Sequence, residues 1–95
     1  MNKTIYKYQI QVVDRQEVSM PIGAEILSCQ MQDTANGNMP HIWALVSPNN
    51  QKENRVFDMF GTGHSVGCDM GVERKFISTF QIPERGLVFH IFERL

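Results

Sequence analysis

The chain has 95 residues, 42% of them apolar, which suits one domain with one modest core; nine basic residues against ten acidic ones leave a net charge of -1. That balance supplies no general charge for neutralising duplex phosphates, so duplex nucleic acid is not an expected partner, and the even spread of apolar residues argues against disorder. No apolar run approaches the ~20 residues that cross a bilayer, so no membrane partner is expected either.

Thr4 to Val13 alternates, with Tyr6, Tyr8, Ile10 and Val12 on one face, the period of a half-buried strand. Asp14-Arg15-Gln16 is a polar connection. Glu17 to Met20 alternates again and is stopped by Pro21, whose missing N–H cannot serve a ladder. Glu25 to Gln32 places Leu27, Cys29 and Met31 opposite Ser28, Gln30 and Gln32; its helix-forming composition competes, but the alternation favours a strand. Asn36-Gly37 marks a hairpin turn, and His41 to Val46, apolar on both faces, reads as a central partner strand. After the turn Ser47-Pro48-Asn49-Asn50, Lys52 to Phe60 separates Arg55, Phe57 and Met59 from Val56, Asp58 and Phe60. Arg74 to Ile82 resumes strand character with Phe76, Phe80 and Ile82 sharing a face. Pro83-Glu84-Arg85-Gly86 turns the chain, and Leu87 to Phe92 closes it. The expectation is one all-β domain over 1–95, an antiparallel sandwich or barrel of about seven short strands.

The segment Phe60 to Gly71 carries four of the seven glycines, together with Thr62, His64, Ser65 and Asp69. It lacks the Gly-Lys-Ser/Thr ending of a phosphate-binding P-loop, and Gly61-Thr62-Gly63 lacks the third glycine of a dinucleotide fingerprint. Two readings stay open: an anion-binding nest of main-chain N–H groups with small hydroxyls, or a connection needing glycine at positive φ. Long loops in compact domains favour the first.

His41, His64, His90 and Cys68 match no metal-ligand spacing, so no metal or other cofactor is expected. A nucleophile at Cys68 or Ser65 would need a base and an orienting group. His64 and Asp69 are near in sequence, yet no catalytic motif is present, and the expectation is a non-enzyme. Trp43 with Tyr6, Tyr8 and Phe60 offers an aromatic wall for a ring to stack on, or core. Arg55, Arg74 and Lys75 flank the glycine loop and would hold phosphate if they converge; otherwise they decorate a solvated face. Cys29 and Cys68 read as reduced thiols rather than a disulfide, and the N-terminus enters a strand without a signal peptide. Both point to the cytoplasm.

The segments Lys3-Thr4-Ile5-Tyr6-Lys7-Tyr8, Met20-Pro21-x-Gly23-Ala24-x-Ile26-Leu27, Trp43-Ala44-Leu45-Val46, Phe60-Gly61-Thr62-Gly63-His64 and Leu87-Val88-Phe89-His90-Ile91-Phe92 resemble a family of short bacteriophage and prophage proteins of unknown function. Phe-Gly-Thr-Gly-His is the most specific segment, and the resemblance covers nearly the whole chain. It implies a small protein working in the bacterial host cytoplasm, with no catalytic residues to transfer. Such a setting favours an anti-defence binder that sequesters a nucleotide-derived immune signal of the host. The expected contacts are Gly61, Thr62, Gly63, His64 and Ser65 on phosphate or ribose, Arg55, Arg74 or Lys75 on charge, and Trp43 on the base, at a homo-oligomer interface. The alternatives are a phage protein that inhibits a host protein by direct contact, a small accessory protein assembling through its β edges, and a small enzyme using His64 as acid or base.

Overall fold

A computed structural model describes residues 2–66 and 72–95. Its strands are β1 (Thr4–Gln9), β2 (Arg15–Pro21), β3 (Glu25–Thr34), β4 (Gly37–Val46), β5 (Lys52–Gly61), β6 (Arg74–Ile82) and β7 (Leu87–Arg94), with a single 3-10 turn at Pro83–Arg85. They form two antiparallel sheets, one ordered β1-β4-β3 and the other β2-β5-β7-β6. Among the described residues no helix is long and apolar enough to cross a membrane.

The fold is all-β because alternation gives each strand one apolar side to bury. Cys29, Ile42, Ala44 and Val46 from the three-stranded sheet meet Met20, Phe57, Met59, Phe80, Ile82 and Ile91 from the four-stranded sheet in one core. This is a sandwich, with the two sheets joined over their apolar faces. β4 is central in its sheet, as its two-sided apolar sequence implied, although it contains Pro40. The Pro40 carbonyl accepts from the Ile10 N–H at 3.0 Å, so its missing N–H faces the β1 side, where the ladder has already ended at Gln9.

Several sequence expectations need correction. The first strand stops at Gln9 rather than running to Val13, because the chain leaves one sheet there to enter the other at Arg15. Ile10 plugs the core at the crossing, whereas Val12 is exposed. The crossing is held by a reciprocal pair, Gln11 N–H donating to Gln16 Oε1 and Gln16 Nε2 donating to the Gln11 carbonyl. β3 has a register shift between Ile26 and Ser28, so Leu27 does not share the face of Cys29: Cys29 is buried and Leu27 exposed. β6 shifts in the same way between Phe76 and Ser78. Phe76 therefore parts from Phe80 and Ile82 and stands on the outer face opposite Phe92. The hairpin closes on the Thr34–Gly37 pair, with Ala35-Asn36 as its tip rather than Asn36-Gly37.

The outer face of the four-stranded sheet is unusual. Cross-strand partners share a side, so β2 contributes Arg15 to this face, β5 Asp58 and Phe60, β7 His90, Phe92 and Arg94, and β6 Arg74, Phe76 and Thr79. A face turned away from the core thus carries a charged cluster beside an aromatic one.

Candidate functional site

Asp58 is the centre of that face. It interrupts the apolar run Val56-Phe57-Asp58-Met59-Phe60 and is only 1% exposed, although it points away from the core. Three arginines cover it. Arg15 Nε donates to Oδ1 at 2.8 Å, Arg74 Nε donates to Oδ2 at 2.7 Å, and Arg94 Nε stands 3.5 Å from Oδ2. Burial pushes the Asp58 carboxyl up, but the hydrogen bonds and charges of Arg74 and Arg15 outweigh it and hold the group below the usual carboxylate range. Asp58 is therefore an ionised floor.

Above this floor lies an open groove of about 510 Å³ lined by Asp14, Arg15, Asp58, Met59, Phe60, His64, Ser65 and Arg74. The lining thus brings two carboxylates, Asp14 and Asp58, together with two guanidinium groups, Arg15 and Arg74. The Arg74 guanidinium lies 5.5 Å from the centre of the Phe60 ring, and Phe60 meets Phe92 edge-on at 5.8 Å. Guanidinium and ring together make a flat wall. Arg15 differs from the buried pair beneath it: its side chain is 51% exposed, and it touches Asp58 through Nε.

The start of the glycine segment forms the rim. The His64 N–H donates to the Gly61 carbonyl at 3.1 Å, and Gly63 has φ 87°, the value a type II turn requires at its third position. Gly61 has a separate reason to be glycine. A Cβ there would lie 2.9 Å from Cε1 and Nδ1 of His64, whose ring folds back over the backbone. Thr62 is directed elsewhere: its hydroxyl and that of Thr79 bracket the His90 ring, at 2.7 Å from Nε2 and 2.9 Å from Nδ1.

The residues singled out in the sequence fall into three places. His64, Ser65 and Arg74 come together in the groove, with Gly61 and Gly63 shaping its rim and Thr62 turned to His90. Arg55 lies on the opposite, inner face of the same sheet. There Nε and Nη2 grip the Glu93 carboxylate, and Nη1 donates to the Ala24 carbonyl at 2.8 Å. The hydrogen bonds that Arg55 donates to Glu93 raise the Arg55 pKa above its ordinary value despite burial. Lys75 stands opposite Glu93 and lines a second hollow with Arg55. Trp43 belongs to the other sheet, where it packs against His41 at 5.9 Å. It shares no wall with Tyr6 and Tyr8, which lie on the other face of that sheet, nor with Phe60. Arg74 and Arg55 therefore cannot close on one ligand.

Asp14, Arg15, Asp58 and Arg94 were not among the sequence candidates. The available signal was Asp58 itself, a lone carboxylate inside an apolar strand, which burial would force to recruit cations. Cys68 and Asp69 lie outside the described residues, as does any pairing of Cys29 with Cys68. Cys29 is a free thiol in the core, and burial pushes its pKa up to about 12, which makes it a poor nucleophile. Among the described residues no three His, Cys, Asp or Glu side chains are grouped to hold a metal ion.

Comparison with protein families gives a match over residues 1–95 to a domain of unknown function, DUF7352. The chain belongs to the DUF7352 family. No curated protein and no solved structure matches it. Membership spans the whole domain, groove included, and brings no ligand or reaction with it.

Proposed function

We propose that the protein is a non-catalytic binder of a phosphate-bearing, nucleotide-like small molecule, held in the groove over Asp58. In the phage setting that the sequence resemblance implies, such a protein would sequester a nucleotide-derived immune signal of the host. The observation that carries this reading is Arg15, a half-exposed arginine at an open groove, whose partner Asp58 is also held by Arg74. Arg15, half exposed, has Nη groups with no hydrogen-bond partner among the described residues and would take the phosphate. The Arg74–Phe60 wall would support the base, Asp14 would accept from ribose hydroxyls, and His64 and Ser65 would close over the ligand from the rim.

Native mass spectrometry of the protein, mixed in turn with cyclic dinucleotides and ADP-ribose-type nucleotides, tests this. The expected result is a non-covalent adduct with at least one member, absent in Arg15→Ala, with the ligand recovered chemically unchanged after denaturation. A product of altered mass would instead support an enzyme. A co-purifying host polypeptide with no nucleotide adduct would favour inhibition by direct contact.

A further inference from the structure

The sandwich has four sheet edges, and three are protected. β3 and β6 approach each other, Gln30 Nε2 donating to Ser78 Oγ at 3.1 Å, and each carries a bulge. β2 ends in Pro21 and carries Arg15 and Glu17 along its outer side. Charge, proline and bulges are the usual means of blunting an edge. β1 has no proline and no bulge, carries one charge, Lys7, and keeps an unbroken register with β4 from Thr4 to Gln9. Its apolar side chains are open on both faces, Ile5 at 56% and Tyr6 at 42% exposure.

The phase of the ladder fixes what this edge offers. The Ile10 N–H bonds to the Pro40 carbonyl. Bonded pairs alternate along an antiparallel ladder, so Tyr8, Tyr6 and Thr4 bond toward β4. Ile5, Lys7 and Gln9 then direct their N–H and C=O groups to the open side, where they have no backbone partner among the described residues.

We propose that β1 is the pairing edge of a homodimer, in which β1 of a second copy adds antiparallel about a twofold axis through Tyr6. Two three-stranded sheets would become one sheet of six strands. A second copy fits because the edge is complementary to itself in one register. Bonded pairs must join residues whose groups face outward, which places the axis on Ile5, Tyr6 or Lys7. An axis on Lys7 sets two ammonium groups directly opposite each other, which opposes pairing. An axis on Ile5 sets Lys7 opposite Lys3, again two like charges, and carries Gln9 past the described residues. With the axis on Tyr6, Ile5 faces Lys7 of the second copy and Lys3 faces Gln9, so every outward group is bonded. The two Tyr6 rings then meet in the close, non-bonded pair, and the Tyr6–Tyr8 contact at 6.5 Å extends to four rings on one face. One strand from each copy makes a small interface, on the order of 1,000 Å² or less, so the dimer should dissociate on dilution. It needs no ligand and does not depend on the groove.

Analytical ultracentrifugation of the full chain over a concentration series tests the proposal, with circular dichroism to verify the fold of each variant. The unmodified protein should pass from monomer to dimer as concentration rises. Ile5→Lys puts two like charges opposite Lys7 by symmetry and should weaken the dimer about tenfold or more. Ile5→Glu puts an opposite charge there and should bind at least as tightly as the unmodified chain. A monomer across the whole series overturns the proposal. So do equal effects of Ile5→Lys and Ile5→Glu, or a different polypeptide found seated on β1.

Discussion

The four-stranded sheet buries one carboxylate on each of its faces, and the two are held in opposite ways. On the inner face Glu93 is matched by one arginine, Arg55, which grips both its oxygens and also donates from Nη1 to the Ala24 carbonyl. On the outer face Asp58 is met by Arg15, Arg74 and Arg94, and the cluster opens into a groove. The inner pair is bidentate, with Glu53 adding a second carboxylate 3.8 Å from Arg55, and it ties the sheet to the turn before β3. The outer cluster stands where a solute can reach it, and the Nη groups of Arg15 have no hydrogen-bond partner among the described residues. Buried arginine is therefore not by itself a sign of binding. The exposure of the guanidinium separates a strut from a site: the Arg15 side chain is 51% exposed and that of Arg55 17%.

The largest effect should come from breaking the inner pair. Glu93→Gln removes the counter-charge of a largely buried guanidinium and should cost about 3 kcal/mol in urea denaturation, with ligand affinity unchanged in the molecules that remain folded. Asp58→Asn should also destabilise, and the pH dependence identifies why. The folded Asp58 pKa lies below its unfolded value of about 3.9, so its contribution is fully present above that value and is lost as pH falls through the lower folded value. The acid limb of the stability profile should accordingly flatten in Asp58→Asn, and an unaltered limb would show that Asp58 is not held ionised by its arginines.

The open cluster should respond differently. Arg15→Ala removes a half-exposed side chain and leaves Arg74 on Asp58, so stability should fall by only about 1–2 kcal/mol, while nucleotide affinity falls at least about tenfold, the scale of one lost charge-assisted contact. Calorimetric titration beside a melting curve would show both. Gly61→Ala should give the smallest change. Its Cβ would displace the His64 ring from the rim and lower affinity a few-fold, with little loss of stability because the ring is exposed and free to move.

The strands were legible in the sequence because each buries one side, and a period of two survives in the residue order. β6 runs over the very residues expected, and the two sides of β5 sort as Phe57 and Met59 against Asp58 and Phe60. The bulges were not legible. A one-residue slip at Ile26–Ser28 or Phe76–Ser78 leaves composition intact while turning Leu27 and Phe76 to solvent. The site was legible only at its rim, where Gly61, Gly63 and His64 lie together in the chain. Its floor joins positions 15, 58, 74 and 94, and only strand pairing brings these together. For the same reason Arg55 and Arg74 looked like neighbours of one loop, although the pleat sends them to opposite faces.

The most direct test is a backbone-amide NMR titration of the protein with the nucleotide panel. The account predicts that, for the nucleotide that binds, shifts concentrate at Arg15, Phe60, His64, Ser65 and Arg74, with Trp43 and the Arg55–Glu93 region undisturbed. Shifts centred on Trp43 or on Arg55 and Lys75, or no response to any member of the panel, would contradict the assignment of the outer groove as the binding site.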